Sequence, residues 1–220
     1  FQAVAAVRVR GSEGHARWVD VGADEVRREV SVLGVLHVPA GAIPIDLVVA
    51  RSGSQTGTAR LTRPRVAALF VPDASRVRVC AHAPGGFSAV GGELHVAATC
   101  TASATGPSRA IVFGSAGVAM PDGGGSGRAH IAVRIDGGDV AGSDRSADVY
   151  ADAGDGTDTP IATVATAAVA DGSHTFELVD RHTGGTGSVL FTPAIVALVV
   201  PDDGSRLVLC SRLDDIAQAV

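Results

Sequence analysis

The sequence predicts an all-β protein built from antiparallel β-sandwiches, and three observations support this class. Short runs alternate between apolar and polar residues, as in Val7–Arg10, Val77–Val79 and Ile131–Ile135. Gly, Asp or Pro bounds each run, and Gly supplies 28 of the 220 residues, so turns recur at short intervals. Apolar residues at helical spacing are scarce, whereas β-branched residues, which fit a pleated sheet, are abundant.

Composition excludes several classes of protein. Hydrophobic residues make up 46% of the chain, which is enough to build a core and argues against disorder. The longest apolar runs, such as Ile195–Pro201, fall far short of the roughly 18 residues that a membrane span needs. The formal net charge of −5, without a basic cluster, argues against a nucleic-acid partner. All 18 basic residues are Arg, and Lys and Asn are absent. Because Lys and Asn use A-rich codons, this composition indicates a GC-rich genome, for example that of a bacterium.

An internal repeat is the strongest signal in the chain. The run Pro64–Asp73 aligns with Pro193–Asp202 at an offset of 129 residues. Downstream, Ser75–Cys80 aligns with Ser205–Cys210 at an offset of 130. A drifting offset is what loop insertions between matched strands produce, so the chain is predicted to contain two related β units.

This repeat divides the chain into two tandem β-sandwich domains. We place the first repeat at 1–82, a linker at 83–92, the second repeat at 93–210 and a C-terminal tail at 211–220. The first repeat is incomplete, because it lacks a counterpart of 93–126, where two strands are predicted at Leu94–Thr101 and Arg109–Met120. Three explanations are open: the chain is a piece of a longer repeat protein, another chain supplies the missing strands, or the first repeat is a smaller sandwich.

Two matched segments of the repeat are apolar on both faces of the strands they are predicted to form. These segments are Val66–Val71 and Ile195–Val200. A strand of this kind is either central and covered, or it faces a partner chain. The sequence alone is compatible with both interpretations.

A resemblance to a known group of folds comes from the end of the second repeat. The block Asp171–Leu178, followed by Gly185-Thr186 and by Ile195–Pro201, resembles the closing strands of bacterial jelly-roll domains. These domains are similar to the tumour-necrosis-factor and complement globular-head folds, and they occur as repeats in surface proteins and phage fibres. The resemblance covers about the last third of each repeat and implies two packed sheets with the first and last strands side by side. The first repeat departs from it, since Ala42–Ile45 stands where the second has Ser173–Phe176.

The three cysteines are Cys80, Cys100 and Cys210. Because no two of them form a CxxC pair, a zinc ribbon or a redox motif is not expected. In a jelly roll the strands that end at Cys100 and Cys210 are neighbours, so the resemblance implies a disulfide between these two residues. Cys80 would then lack its partner, which belongs to the missing strands. The alternatives are a Cys80–Cys100 bridge that links the repeats, and three reduced, buried cysteines.

The best candidate for a metal site is a Gly-rich loop that contains Asp152, Asp155 and Asp158. Carboxylates are hard oxygen ligands suited to Ca²⁺, and three more lie on a preceding loop, at Asp136, Asp139 and Asp144. The run lacks the spacing and terminal Glu of an EF-hand loop, and Asp-Gly pairs are ordinary turn formers. A solvated turn is therefore the competing interpretation.

Catalytic and ligand-binding signals are sparse. His174 and His182 lie near Ser173 and Asp180, but the sequence has no GxSxG motif to present a nucleophile, so we predict a packing or hydrogen-bonding role for His174 and no enzymatic activity. Trp18 and Tyr150 are the only large amphipathic aromatic residues and are the candidates for contact with a ligand such as a glycan. Core packing is the competing role for Trp18.

Together these features predict a non-enzymatic structural protein outside the cell, at the cell surface or in a phage particle. It would be a subunit of a surface assembly, filament or fibre, with copies of itself or a longer repeat chain as partners. No cofactor other than Ca²⁺ is expected. The alternative is a lectin-like or receptor-binding module that uses loop ends near Trp18 and Tyr150.

Overall fold

The structure is a computed structural model that describes part of the chain. The described residues are 2–9, 12–20, 44–52, 77–83, 87–90, 94–119, 126–150, 159–183 and 188–203. All regular structure in these ranges is β-strand. No helix in the described residues is long and apolar enough to cross a membrane.

Ten of the thirteen strands form two packed antiparallel sheets. The first, called the β8 sheet, has the order β10 (Arg145–Tyr150), β8 (Ser126–Ile135), β12 (Gly172–Thr183) and β6 (His95–Ala104), with the short β9 (Gly138–Asp139) paired to β8. The second, called the β13 sheet, has the order β11 (Thr159–Val169), β7 (Ser108–Ala119), β13 (Ser188–Pro201) and β4 (Arg78–His82), with β5 (Phe87–Val90) also paired to β13. Every pairing is antiparallel.

A separate three-stranded sheet lies near the N-terminus of the chain. Its order is β2 (Ser12–Asp20), β1 (Gln2–Val9) and β3 (Ile45–Ser52), and both pairings are antiparallel. Residue Val4 of β1 pairs with Trp18 on one side and Ala50 on the other.

The connections between the two large sheets follow jelly-roll topology. The chain changes sheet each time it passes from β6 to β7, from β11 to β12 and from β12 to β13. The first and last strands of the sandwich, β4 and β13, pair in one sheet. This order confirms the predicted fold class, a jelly-roll-like β-sandwich. The strands predicted at Leu94–Thr101 and Arg109–Met120 correspond to β6 and β7.

The sandwich starts earlier in the chain than the predicted second repeat. Strand β4 lies within residues assigned to the first repeat, and β5 lies within the predicted linker 83–92, yet both pair with β13. The reason is that β7 pairs with only one edge of β13, and β4 and β5 pair with the other edge. The division of the whole chain into two repeats stays a prediction.

The core lies between the inner faces of the two sheets and consists mostly of Ala, Val, Ile and Leu. Phe176 and Leu178 on β12 are fully buried there. Leu178 packs directly against Gly114 on β7, because a Cβ at Gly114 would lie 2.5 Å from Leu178 Cδ1. Glycine at this position therefore lets the two sheets approach each other around a large side chain.

Candidate functional site

The two outer faces of the sandwich differ sharply in chemistry. On the outer face of the β8 sheet, Arg128 donates to Asp148 at 2.9 Å, and this hydrogen bond holds the pKa of Asp148 below its ordinary value. Asp144 accepts from Arg181 at 3.0 Å and lies 3.2 Å from the ring of His130. A face covered with charged pairs of this kind is a face that contacts water.

A further ion pair continues this charged face toward β6. The guanidinium of Arg134 lies 3.8 Å from the Glu177 carboxylate and 3.4 Å from that of Asp139. Between these charged pairs the strand register aligns a short apolar row on the same face, Ala132, Val179 and Val96, of which Val96 is 40% exposed.

The outer face of the β13 sheet carries two rows of residues without a charge. Because successive side chains of a strand point to opposite faces, the residues between the core positions of β7, β11, β13 and β4 point outward. The strand register aligns them as Val164, Phe113, Val196 and Ala81 in one row, and Thr166, Ile111, Leu198 and Val79 in the next. We call these eight residues the apolar face.

The centre of the apolar face is withdrawn from water and its margins are open. Ile111 is only 2% exposed, and Val196 and Leu198 are 9% exposed. At the β4 margin Val79 is 43% exposed, and at the β11 margin Thr166 is exposed. Strand β13 is therefore central between β7 and β4 and apolar on both sides, as the sequence predicts.

The disulfide differs from the one that the resemblance implied. Cys100 is bonded to Cys80, with a Cα–Cα distance of 5.7 Å, so the expected Cys100–Cys210 bridge is wrong and one of its alternatives is right. The physical reason is that β4 and β6 are edge strands of opposite sheets on the same side of the sandwich, which brings their cysteines within bonding range. Cys210 lies outside the described residues.

This side of the sandwich is closed by a second link between the same two strands. The backbone N–H of Thr99 on β6 donates to Nδ1 of His82 on β4 at 3.3 Å. The Cys80–Cys100 bond and this hydrogen bond together join the two sheets along one edge.

The candidate metal ligands divide into two groups. Asp152, Asp155 and Asp158 lie outside the described residues, so the Ca²⁺ site stays a prediction. On the preceding loop, Asp139 and Asp144 are engaged with arginines, and Asp136 with a histidine. Within the described ranges, no group of three or more His, Cys, Asp or Glu side chains is arranged to hold a metal ion.

The candidate ligand-binding aromatic residues fall in different sheets. Trp18 is on β2 of the three-stranded sheet, and Tyr150 is the last residue of β10 in the β8 sheet. Their side chains are not among those described, so a role in ligand contact stays a prediction.

His174 links a turn to two strands, which is the hydrogen-bonding role that the sequence predicts for it. Its Nδ1 lies 2.7 Å from Oδ2 of Asp136, and its Nε2 lies 2.9 Å from the carbonyl oxygen of Ala170. Both partners accept hydrogen bonds, so the doubly protonated ring is favoured, and the bond to Asp136 raises the pKa of His174. The same bond, with one from the Thr175 N–H, lowers the pKa of Asp136.

Comparisons with known proteins leave the family open. No family model matches the chain, and no curated protein matches its sequence. Among solved structures, the chain is similar to a capsid chain of an infectious bursal disease virus (IBDV) particle, with 14% identity, a TM-score of 0.28, and coverage of 57% of this chain and 35% of that one.

Two further similar structures come from strains of the same virus. The Gx strain structure matches with 15% identity and a TM-score of 0.31 over 93% of this chain and 57% of the other. The Gt strain structure matches with 16% identity and a TM-score of 0.25 over 90% and 60%. The chain thus spans less than two thirds of the length of each of these chains. Fold and surface define the class: a jelly-roll-like β-sandwich with charged pairs on the outer face of one sheet and two uncharged rows on the outer face of the other.

Proposed function

We propose that the chain is a non-enzymatic, extracellular structural subunit that assembles with copies of itself through the apolar face. The contrast between the two outer faces carries this proposal. The β8 sheet meets water with paired charges, whereas the two uncharged rows of the β13 sheet expose Val79, Ala81 and part of Phe113. Apolar surface of this kind is stabilised when a second surface removes it from water.

A second copy of the same unit is the partner that the sequence favours. The segment Val66–Val71 repeats the two-sided apolar pattern of Ile195–Val200, so a related unit carries the same kind of strand. Two β-sheets pack face to face at about 10 Å when their facing side chains are apolar and interdigitate. The small side chain of Ala81 and the open margin at Val79 leave room for this approach.

We also propose that the chain contains tandem units, but that each unit begins earlier than the predicted repeat, at the strand equivalent to β4. The described unit runs from β4 to β13, and Ser205–Cys210, which follows β13, aligns with the segment that leads into β4 and ends at Cys80. This alignment favours a repeat in which the last strand of one unit is followed directly by the sequence that matches the β4 segment of the next. The Cys80–Cys100 disulfide supports an oxidising, extracellular location such as a cell surface or a virion.

The test compares two arginine substitutions in sedimentation-velocity experiments over a wide range of protein concentration. Thr166→Arg places a charge on the apolar face, and Thr101→Arg places the same charge on the outer face of the β8 sheet. Both threonines are exposed and lie within edge strands, β11 and β6, so the pair is matched. We expect the wild type and Thr101→Arg to associate, and Thr166→Arg to dissociate with a roughly tenfold or larger increase in Kd.

Two results would overturn the proposal. One is a wild-type protein that remains monomeric at every concentration, and the other is equal weakening by both substitutions. Far-UV circular dichroism of each variant verifies that the sandwich is folded.

A further inference from the structure

Two ionisable side chains of β12 point into the sandwich rather than outward. Asp180 and His182 continue the alternation of Phe176 and Leu178, which are core residues. Their neighbours on β8 are Ile131 and Ala129, which also belong to the core. Asp180 is 1% exposed and His182 is 7% exposed.

Neither side chain is satisfied by its surroundings. No other described residue donates a hydrogen bond to either carboxylate oxygen of Asp180, and neither ring nitrogen of His182 has a partner among the described residues. A buried, unsatisfied polar group destabilises the closed state, and an ionised one does so far more. The folded sandwich therefore strongly favours the neutral forms of both groups.

A strained residue lies in β13, a strand of the opposite sheet that contacts β12. Strand β13 has an irregular register between Phe191 and Ala194, and within it Thr192 adopts a φ of 43°. A β-branched residue in this left-handed region is strained, and the Thr192 hydroxyl is also buried without a hydrogen-bond partner. Beyond the irregularity, residues Ser188–Phe191 pair with β5, which in turn contacts β12.

Few other charged groups face Asp180. On β6, Nδ1 of His95 lies 3.7 Å from its carboxylate, and on β8 the nearest titratable side chain is His130, on the outer face. Neither β5 nor residues 188–191 of β13 contain a titratable residue. On β12 itself, Glu177 and Arg181 point to the outer face, and His182 shares the inner face with Asp180.

We propose that this end of the sandwich is a pH-operated latch in which loss of the Asp180 proton releases β5 and the N-terminal half of β13 from β12. With the carboxyl neutral, the end is closed around it. With the carboxylate ionised, the closed end holds an unsatisfied charge, and opening lets water reach it. The strain at Thr192 and the unsatisfied His182 ring lower the stability of the closed end, so the latch opens there before the rest of the sandwich unfolds.

The direction of the pH response follows from burial. Burial raises the pKa of Asp180 from 3.8 to about 7, with its own backbone N–H lowering it in part. A raised carboxyl pKa in the closed state means that closure is strongest at low pH and weakens as the pH rises toward 7. If the open state has an ordinary Asp pKa, the opening equilibrium increases about tenfold between pH 6 and pH 8 and then levels off.

Native-state hydrogen exchange tests this latch in the whole chain. Protection factors, corrected for the intrinsic rate at each pH, are compared for the amides of Val189–Phe191 and for those of Ile111 and Val112 on β7, a central strand of the same sheet. We expect the first group to lose about tenfold in protection from pH 6 to pH 8 and the second group to be unchanged. In Asp180→Asn the loss disappears, whereas Asp148→Asn, on the outer face, behaves as the wild type.

A second variant keeps the proposal testable even if Asp180→Asn does not fold. His95→Gln removes the half-exposed ring whose Nδ1 lies 3.7 Å from the Asp180 carboxylate. Because the ionised carboxylate then loses its nearest polar neighbour in the closed state, Val189–Phe191 should lose more than tenfold in protection between pH 6 and pH 8. Equal protection of Val189–Phe191 at both pH values in the wild type would refute the latch. So would a pH response that persists unchanged in Asp180→Asn.

Discussion

Removal of the Cys80–Cys100 disulfide should destabilise the sandwich by an amount that the loop length determines. The two cysteines are 20 residues apart. In the chain-entropy model, closing a loop of this length restricts the unfolded state by about 3 kcal/mol. For a sandwich of this size, such a loss lowers the melting temperature by roughly 10 °C.

The assay is urea unfolding at neutral pH followed by far-UV circular dichroism, on the oxidised wild type, the reduced wild type and Cys80→Ala/Cys100→Ala. The reduced protein and the double variant should agree, because they lack the same bond. Cys210→Ala is the matched control and should leave the free energy of unfolding unchanged, since the bond does not involve Cys210. The reasoning fails if Cys210→Ala destabilises as much as the double variant, or if peptide mapping finds a Cys100–Cys210 bridge.

Three further predictions concern the described core and turns. Gly114→Ala should lower the free energy of unfolding by roughly 1–3 kcal/mol, because the new Cβ overlaps Leu178, and thermal melts would measure it. Ser143→Ala should cost about 1–3 kcal/mol in chemical denaturation, because the hydroxyl accepts from the buried N–H of Val133 at 3.0 Å. His174→Gln should reduce the melting temperature most at about pH 6. Because folding raises the pKa of His174, its contribution is present below 6.5 and is lost as the pH rises through the folded value, so the difference should shrink at higher pH. A pH-independent difference would contradict this assignment.

Much of the sandwich was predictable because its strands have simple periodicity. In Ile131–Ile135, the residues Ile131 and Val133 alternate into the core, which is the pattern that predicts β8. The two-sided apolar run Ile195–Val200 likewise predicts a central strand, and β13 is central. Local composition therefore determines which segments are strands and which strands are covered on both sides.

The disulfide and the start of the unit were not predictable in the same way. Cys80 lies next to Cys100 only because β4 adds to the edge of β13, a pairing between segments about 120 residues apart. Asp180 was missed as a core residue for a related reason. A charged residue after Phe176 and Leu178 is ordinarily placed at a strand end that faces water, and only the packing of the folded sandwich buries it.

The late pairing of β4 has a consequence for synthesis on the ribosome. Its hydrogen-bonding partner β13 emerges about 120 residues later, which at ordinary elongation rates is a delay on the order of ten seconds. Cys100 emerges after only 20 residues, so oxidation can tether the waiting strand to β6 long before the final ladder forms. A compartment that oxidises nascent thiols would thereby shield an unpaired strand from intermolecular aggregation, and a reducing one would leave it exposed during the slowest stage of maturation.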